Sequence, residues 1–472
     1  MRGFNVQMAC RNSYIALRAV GFMILTSLLI HIISGENGLF FLMTILGGVC
    51  VLLLFKEPHL GVLIIISMWF LRFSPALLGV NYLRIPYLLS AILLIPLALS
   101  ILRDREIWVW RVPQIKILVT IGILLLASTG WSYYQHPVRL LPELEQSGEM
   151  LQIFLVRLIF LVLFLYFFTT SRKIELFVWL LLGLIIASAL SALYHLTEPG
   201  VGRAWAAFGP GTNPTSLPFL CLFGASLLWF YYSHAPAGCR RLLALLCLVP
   251  LPTIALASGS RGGILQLVAF AALIIKEQEC WSAAKKIRSL LLLGSVSLLF
   301  LSIIPATSLL RATSFEATQS TGAGESLSNR INTVTAAFEM IVSNPVLGIG
   351  IGNFRWLHQI AYGSDLYPHN SYLGALLDGG IICLALYILL FYFTYQMLRE
   401  LEKSGPRELV WMSKALRINL ILFLIASISD DIWLNDFLYL MVGFAVSMTR
   451  VWQRSYQRYL GNPTSFDYAQ AN

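Results

Sequence analysis

Residues 176–196 read LFVWLLLGLIIASALSALYHL and contain no Asp, Glu, Lys or Arg. A helix of this length spans about 30 Å, which matches the hydrocarbon core of a bilayer. Helices of water-soluble proteins bury one apolar stripe and present polar residues on the opposite face. The stretch therefore predicts a membrane-spanning helix.

Similar apolar runs recur along the 472-residue chain, which is 58% hydrophobic and only 12% charged. A water-soluble protein carries roughly twice that share of charge. We predict an all-α polytopic membrane protein, a single membrane-embedded domain over residues 1–472, with about 12–14 transmembrane helices. The first run lacks a small-residue cleavage site and is predicted to be a retained helix. The predicted spans are 19–33, 38–55, 60–71, 85–102, 117–134, 150–170, 176–196, 214–232, 242–258, 262–275, 289–310, 371–398, 411–429 and 432–449.

The positions of Lys and Arg predict the orientation of the chain. With a cytoplasmic amino terminus and fourteen spans, 24 of the 33 basic residues fall inside, eight fall outside, and Arg157 lies within a span. Such an excess marks cytoplasmic loops. Both termini are therefore predicted to be cytoplasmic, and the large loop 311–370 is predicted to lie outside. The net charge of +10 follows from this topology and does not indicate binding to nucleic acid.

The cysteine and histidine spacing does not indicate a metal site. None of the seven cysteines belongs to a C-x-x-C pair, and the histidines lack the short spacings of metal ligands. We expect no metal, no cofactor and no disulfide.

Three arginines predicted to face outside stand in unusual local sequence. Arg203 lies in GRAWAAFGPGTNP (202–214), Arg261 lies in SGSRGG (258–263), and Arg330 opens a predicted amphipathic helix. The small neighbours of Arg261 leave backbone amides accessible just before a helix, an arrangement that favours an anion. The alternative for each arginine is contact with lipid headgroups or with a surface carboxylate.

A histidine also stands at the predicted outer mouth of a span. Residues 367–372 read YPHNSY, and LDGG follows at 377–380. Preceded by a proline, His369 is suited to accept a proton near neutral pH, and Asn370 is expected to orient the loop. The alternative is an interfacial histidine hydrogen-bonded to backbone.

The large loop has three predicted parts. Residues 312–328 are rich in Ser, Thr and Gly and predict a flexible segment. Ile331, Val334, Phe338 and Ile341 then recur at helical spacing, which predicts a short amphipathic helix. Residues 348–354, GIGIGNF, predict a glycine-rich turn.

Some further charged residues are weaker candidates. They are acids near outer membrane ends, namely Asp378, Asp430, Asp431 and Asp436. Arg157 is a charge within a span, so it is either functional or paired with an acid on a neighbouring helix.

Taken in order, these motifs resemble the O-antigen ligase and polymerase superfamily of bacterial envelope glycosyltransferases. The resemblance covers roughly residues 195–400 and comprises an arginine before Asn213-Pro214, then SGSRGG, then an Asn-Arg leading to NPVLGIG (344–350), then PHNSY with a trailing DGG. Where Asp378 stands, members of the superfamily more often carry Glu.

The resemblance implies a metal-independent, inverting glycosyltransferase in the bacterial inner membrane with its active site on the periplasmic face. The implied donor is a glycan on undecaprenyl diphosphate, and the acceptor is lipid A-core, another glycan or a protein. By position, Arg203 and Arg261 match the arginines that hold the diphosphate, Arg330 matches the arginine beside the outer-loop helix, and His369 matches the proposed base.

Three functions fit this reading. O-antigen ligase is favoured, and an O-antigen or exopolysaccharide polymerase shares the same motifs. A small-anion transporter of the bicarbonate type is the alternative from another class. Transporters usually combine internal repeats, broken helices and mid-membrane charges, whereas the candidate residues here cluster on one face.

The topology can be tested by labelling. In a cysteine-free variant, Ser320→Cys should react with an impermeant maleimide from outside, and Ser404→Cys should react only after the membrane is opened, because basic loops stay in the cytoplasm. Equal labelling of both positions from outside would refute the orientation.

Overall fold

The computed structural model describes residues 54–70, 84–104, 108–135, 142–196, 203–206, 212–234, 238–277, 304, 306, 308, 310, 323–363 and 366–461. Within these residues the regular structure is helical and includes no strand. The α-helices in chain order are α1 (Pro58–Phe70), α2 (Arg84–Asp104), α3 (Pro113–Gln135), α4 (Pro142–Phe167), α5 (Ser171–His195), α6 (Leu217–His234), α7 (Cys239–Leu248), α8 (Pro250–Ala257), α9 (Arg261–Glu277), α10 (Ala323–Ser343), α11 (Asn353–Tyr362), α12 (Ser371–Ser404), α13 (Arg407–Ala426) and α14 (Asp436–Gly461).

The prediction of an all-α polytopic membrane protein is confirmed. Six described segments are long and apolar enough to cross a membrane: Pro113–Tyr134, Gln146–Phe167, Ser171–His195, Cys239–Ala257, Ser371–Ser404 and Arg407–Ala426. The predicted span 19–33, and most of 38–55 and of 289–310, lie outside the described residues. The total of 12–14 spans therefore stays a prediction.

Helix α6 forms the centre of the bundle. Every residue from Leu217 to Phe230 is buried, so this helix is enclosed on all sides. It packs against α13, α8, α7, α9 and α5. A helix that is apolar around its whole circumference is typical of such an enclosed position or of a membrane span.

Helix α12 departs from the continuous span predicted at 371–398. Gly380 has φ 71° and ψ −169°, so the helix is broken between Gly379 and Ile381. The turn that precedes α11 fills the break, because Ile349 N–H donates to Leu377 O at 2.7 Å and Ile381 N–H donates to Pro345 O at 3.0 Å. The predicted glycine-rich turn is thus present, and it satisfies backbone groups that the break exposes.

The predicted amphipathic helix is present as α10, but two of its features were wrong. The helix begins at Ala323, so residues 323–328 are helical rather than flexible, and Arg330 lies two turns inside. Ile331 and Phe338 are exposed, whereas Ala337 is fully buried and Val334 and Ile341 pack beside it. The start of the helix was misplaced because hydrophobic spacing identifies a helix without fixing its first residue. The exposed Ile331 and Phe338 give α10 a second apolar face.

Three helices connect two chemically distinct ends of the bundle. At one end Arg417 on α13 pairs with Glu277 near the end of α9 and with Glu402 near the end of α12. The opposite ends of the same helices begin at Arg261 and Ser371 and finish at Ala426. The residues predicted to face outside therefore gather at one end, and the basic residues near Arg417 gather at the other.

The break in α12 gives a stability prediction. A Cβ on Gly380 would lie 1.9 Å from Val346 O, and its φ and ψ are essentially restricted to glycine. We expect Gly380→Ala to lower the midpoint of thermal unfolding in detergent by several degrees. Gly183→Ala is the matched control, because a Cβ at this position of α5 has no neighbour within 4 Å. Equal midpoints for the two variants would contradict the docking of the turn.

Candidate functional site

A nine-residue loop, 427–435, joins α13 to α14 and binds the amino terminus of α12. We call it the hub loop. Ser371 N–H donates to Ser427 O at 2.8 Å, Ser371 Oγ donates to Asp430 O at 2.8 Å, and Ile432 N–H donates to Ser371 Oγ at 2.8 Å. These bonds are buried, so they fix the hub loop against α12.

Asn370 holds the start of α12 and the hub loop together. Its side-chain oxygen accepts from Tyr372 N–H at 2.9 Å and from Leu373 N–H at 3.1 Å, which is the bonding of a helix N-cap. Its amide group donates to Ile428 O at 3.1 Å. Asn370 therefore positions the loop, as its place in the sequence predicted.

His369 lies between the buried ring of Pro368 and the cap residue Asn370. Its φ is 46°, and among the described residues it is the one non-glycine with positive φ. Histidine tolerates the left-handed region better than most residues, yet the conformation still stores of order 1 kcal/mol. Backbone strain of this kind is common at functional sites. At His369 it turns the chain out of the direction of α12, and the imidazole there is half-buried.

Two opposite charges flank the His369 imidazole. Burial lowers the pKa of His369 below its ordinary value, the positive charge of Arg330 lowers it further, and the carboxylate of Asp430 acts in the opposite direction. The imidazole is therefore neutral near pH 7 and free to accept a proton. Arg330 reaches this position from α10, which packs on α12.

Asp430 is buried at 6% exposure and fully hydrogen-bonded. One carboxylate oxygen accepts from Ser216 Oγ at 2.8 Å and from Thr215 Oγ1 at 3.2 Å. The other accepts from Asp431 N–H at 3.1 Å. Asn213 in turn accepts from Thr215 at 3.0 Å, so the Asn213-Pro214 motif supports the carboxylate beside His369.

Arg261 is the first residue of α9 and follows a tightly bonded turn. Ser260 Oγ accepts from Gly263 N–H at 3.3 Å and caps the helix. Ser260 N–H donates to Ser258 Oγ at 3.2 Å. The backbone amides of Ser260 and Gly263, of the kind that the sequence suggested for binding an anion, thus donate within the turn. The Arg261 guanidinium, at the positive end of the helix dipole, is therefore the stronger anion-binding feature.

The glycines beside Arg261 accommodate protein rather than leaving open space. A Cβ on Gly262 would lie 2.2 Å from Ser429 Oγ in the hub loop, and one on Gly263 would lie 2.6 Å from Pro218 Cγ. A Cβ on Gly259, whose φ is 62°, would lie 3.2 Å from Ser308 O. These glycines therefore allow close packing that brings Arg261 to the hub loop.

Arg203 lies on the other side of the same turn. Its Nε donates to Ser258 O at 3.0 Å, and Ala204 N–H donates to Ala257 O at 3.0 Å. Both bonds attach the Arg203 segment to the end of α8, and Ser258 lies three residues before Arg261 in the chain. The two arginines predicted to act together are thus brought together.

Two further acids, Asp431 and Asp378, lie in and beside the hub loop. Burial, and then the neighbouring Asp430, raise the pKa of Asp431 to about 7. Burial raises the pKa of Tyr367, and the negative charges of Asp431 and Asp378 raise it further. Arg355 opposes this shift, with its Cζ 5.6 Å from the centroid of the Tyr367 ring. Asp378 accepts Gly352 N–H at 3.2 Å, so it also ties the glycine turn to α12.

Arg157 has a structural partner, as one of its two readings proposed. It pairs with Asp436 at the start of α14, and it also donates to Leu434 O in the hub loop. The intramembrane arginine on α4 thereby anchors the far end of the loop. Asp436 is accounted for by this pair.

The structure thus attaches His369 and Arg261 to the hub loop through their neighbours Asn370 and Gly262. Arg203 bonds to the turn before Arg261, and Arg330 lowers the pKa of His369. Asp430 was only a weak candidate in the sequence, yet its carboxylate and carbonyl oxygens accept four hydrogen bonds. The available signal was an acid pair, Asp430-Asp431, at the predicted outer end of a span. Its partners at 215, 216, 369 and 371 are distant in sequence, so no local pattern could identify them.

The sequence also matches a known protein family. Residues 242–388 match the family model described as O-antigen ligase. The match includes SGSRGG, Arg330 and PHNSY, and it confirms the resemblance to the superfamily. Comparison with curated proteins found no match. Arg203 and the hub loop lie outside the matched residues but contact residues within it.

The electrostatics of His369 can be measured without an activity assay. Diethyl pyrocarbonate modifies only neutral imidazole, and peptide mass spectrometry isolates the peptide that contains His369. We expect half-maximal modification below about pH 6.5, the ordinary histidine pKa. Arg330→Gln should raise this midpoint because it removes a positive charge, and Asp430→Asn should lower it because it removes a negative one. A synthetic peptide of residues 365–373 is the reference, and two variants with unchanged midpoints would refute this arrangement of charges.

Proposed function

We propose that this O-antigen ligase-like integral membrane protein transfers a glycan from undecaprenyl diphosphate to an acceptor on the periplasmic face. The observation that supports the proposal most strongly is the attachment of His369 and of the Arg261 turn to the same hub loop, with Arg203 bonded to that turn and Arg330 acting on His369. A ligase that uses lipid A-core as the acceptor is the favoured form. A polymerase that extends a second lipid-linked glycan uses the same chemistry.

Two arginines are assigned to the donor. A diphosphate carries negative charge, and more charge develops on its bridging oxygen as the bond to the sugar breaks. Guanidinium groups bind phosphate oxygens in pairs and keep their charge at all relevant pH values. Arg203 and Arg261 flank one turn at the amino terminus of α9, whose dipole adds to the same field. We propose that they stabilise the leaving diphosphate without a metal.

His369 is assigned to the acceptor. Its neutral imidazole takes the proton of an acceptor hydroxyl while the oxygen forms a bond to the anomeric carbon of the donor sugar. The bond from that carbon to the diphosphate breaks at the same time, so a single displacement inverts the anomeric configuration. General base catalysis of this kind contributes about 10²–10⁴-fold in rate. Asp430 stabilises the imidazolium that forms, and Arg330 keeps the resting imidazole neutral.

The transporter alternative has one structural feature in its favour, the broken helix α12. In transporters the exposed groups of a broken helix bind the cargo. Here the protein itself uses them, because Pro345 O accepts from Ile381 and Leu377 O accepts from Ile349. The break therefore supports a packing role for the glycine turn and gives no preference for transport.

Reconstitution tests the function directly. The purified protein would be incubated with a defined lipid-diphosphate glycan and either lipid A-core or a second lipid-linked glycan, in the presence of a chelator. Glycosylated lipid A-core would support a ligase, and an extended lipid-linked glycan would support a polymerase. His369→Ala is the matched control, since it should bind the donor and not transfer it. Absence of both products would refute the proposal.

Arg261 gives the sharpest mutational prediction. Loss of a charged partner to phosphate in a poorly solvated site costs about 3–5 kcal/mol, so Arg261→Ala should lose on the order of 100-fold or more in kcat/KM. Arg261→Lys should also be severely impaired, because lysine lacks the planar paired donors. A lipid-headgroup contact needs only a positive charge and would tolerate lysine.

The control for this prediction is Arg407→Lys, a conservative change at an exposed residue on α13 far from the site. It should keep wild-type activity and expression. Near wild-type transfer by Arg261→Lys would show that Arg261 is an interfacial anchor and would remove it from the diphosphate site.

A further inference from the structure

Helix α10 presents an exposed apolar stripe that makes no contact with the rest of the described protein core. Ile331 is 58% exposed, Phe338 is 53% exposed and Val342 is 78% exposed. At 100° per residue these positions, with exposed Thr335, lie within about 60° of one another around the helix axis. Val346, four residues after Val342, continues the stripe at 55% exposure.

The other faces of α10 have different surroundings. Thr333, Ala336 and Ala337 are buried, and Ala337 belongs to a small core with Ile349, Phe354 and Leu377. Between this face and the apolar stripe lies a polar exposed edge that contains Asn332, Glu339 and Ser343. Glu339 accepts a hydrogen bond from Tyr362 on α11 at 2.8 Å.

Helix α10 is therefore three-sided around its circumference. One side packs on protein, one carries polar groups suited to water, and one carries exposed aliphatic and aromatic groups. A helix in solution has two kinds of surroundings and needs two kinds of face. Three kinds of face are typical of a helix at the boundary between protein, water and lipid.

The stripe is continuous with the membrane-facing surface of α12. After Val346 the chain docks in the break of that helix, where Pro345 O accepts from Ile381 N–H at 3.0 Å. From this point α12 exposes apolar side chains along its length, with Ile381 at 53%, Ile388 at 51% and Tyr392 at 54%. Exposed side chains of this type on a spanning helix face lipid, so lipid begins where the stripe ends.

We propose that the phospholipid bilayer covers the stripe of α10, so that this helix lies in the membrane interface at the site end of the bundle. Phe338 and Val342 enter the acyl boundary, while Asn332 and Ser343 face water. Arg330 lies on the same helix beside His369, so the site is held at headgroup depth, where a lipid-borne substrate carries its polar group. The proposal concerns the position of the helix, and it stands or falls independently of the transfer reaction.

Quenching in proteoliposomes tests the proposal. Single cysteines would replace Phe338, Val342, Asn332 and Ser343 in a cysteine-free variant, and each would be labelled with a bimane fluorophore. The vesicles would contain phosphatidylethanolamine and phosphatidylglycerol with a fraction of brominated phosphatidylcholine. We expect brominated lipid to quench labels at 338 and 342 strongly and aqueous iodide to quench them weakly. Labels at 332 and 343 on the same helix are the matched controls and should show the reverse order.

A second measurement uses the wild-type protein and avoids dependence on the cysteine-free background. A carbene reagent dissolved in the bilayer should modify peptides at Phe338 and Val342, as mapped by mass spectrometry. Iodide quenching at all four positions would show that the stripe is in water and would overturn the proposal. Protection of 338 and 342 from both quenchers, without carbene labelling, would show a protein covering and would also overturn it. Neither readout requires donor, acceptor or turnover, so failure here and failure of the proposed function are distinguishable.

Discussion

The attachment of the hub loop to the amino terminus of α12 is the contact on which the rest of the site depends. Ser371 uses both its backbone amide and its hydroxyl for this contact, and Asn370 contributes its side-chain amide. The hydroxyl bonds of Ser371 are buried, where an unmet partner would cost about 1–3 kcal/mol, whereas the bond from Asn370 is exposed. The start of one membrane helix and the connection between two others are therefore fixed relative to each other.

The positions of His369 and Arg261 both depend on the hub loop. His369 precedes Asn370 by one residue, so the cap that anchors the loop also sets the backbone of the proposed base. Arg261 approaches because Gly262 leaves room for Ser429. The glycines of SGSRGG thus have a mechanical role, since any side chain at Gly262 would push α9 away from the loop and separate the proposed donor and acceptor groups.

The sequence predicted the all-α, membrane-spanning character of the chain better than it predicted the contacts of the candidate residues. Long apolar runs determine a spanning helix by length alone, and the positive-inside bias singled out Arg203 and Arg261 as exceptions. The break at Gly380 was missed because apolar residues flank it on both sides and hydropathy does not report backbone conformation. Asp430 was underestimated because its partners come from the turn before α6 and from the PHNSY segment at the start of α12, and a single sequence does not encode such distant contacts in a local pattern.

The acids of the hub loop explain how several arginines can be tolerated at one end of the bundle. Like charges held close together in a partly buried region repel each other and raise the energy of the folded state. Asp430 supplies a negative charge to this region. Four hydrogen bonds to its carboxylate and carbonyl oxygens hold the residue in place. Asp431, with its pKa raised to about 7, changes charge close to neutrality.

This difference between neighbouring carboxyls has a consequence for pH. Because the folded state binds the proton of Asp431 more tightly than the unfolded chain does, this group contributes stability at low pH that is lost as pH rises towards 7. At higher pH the additional negative charge lies in the hub loop, where it offsets the field of the arginines. A diphosphate bound as proposed would add negative charge to the same end of the bundle and so favour the protonated form of Asp431. The proposed function therefore links donor binding to protonation of the hub loop.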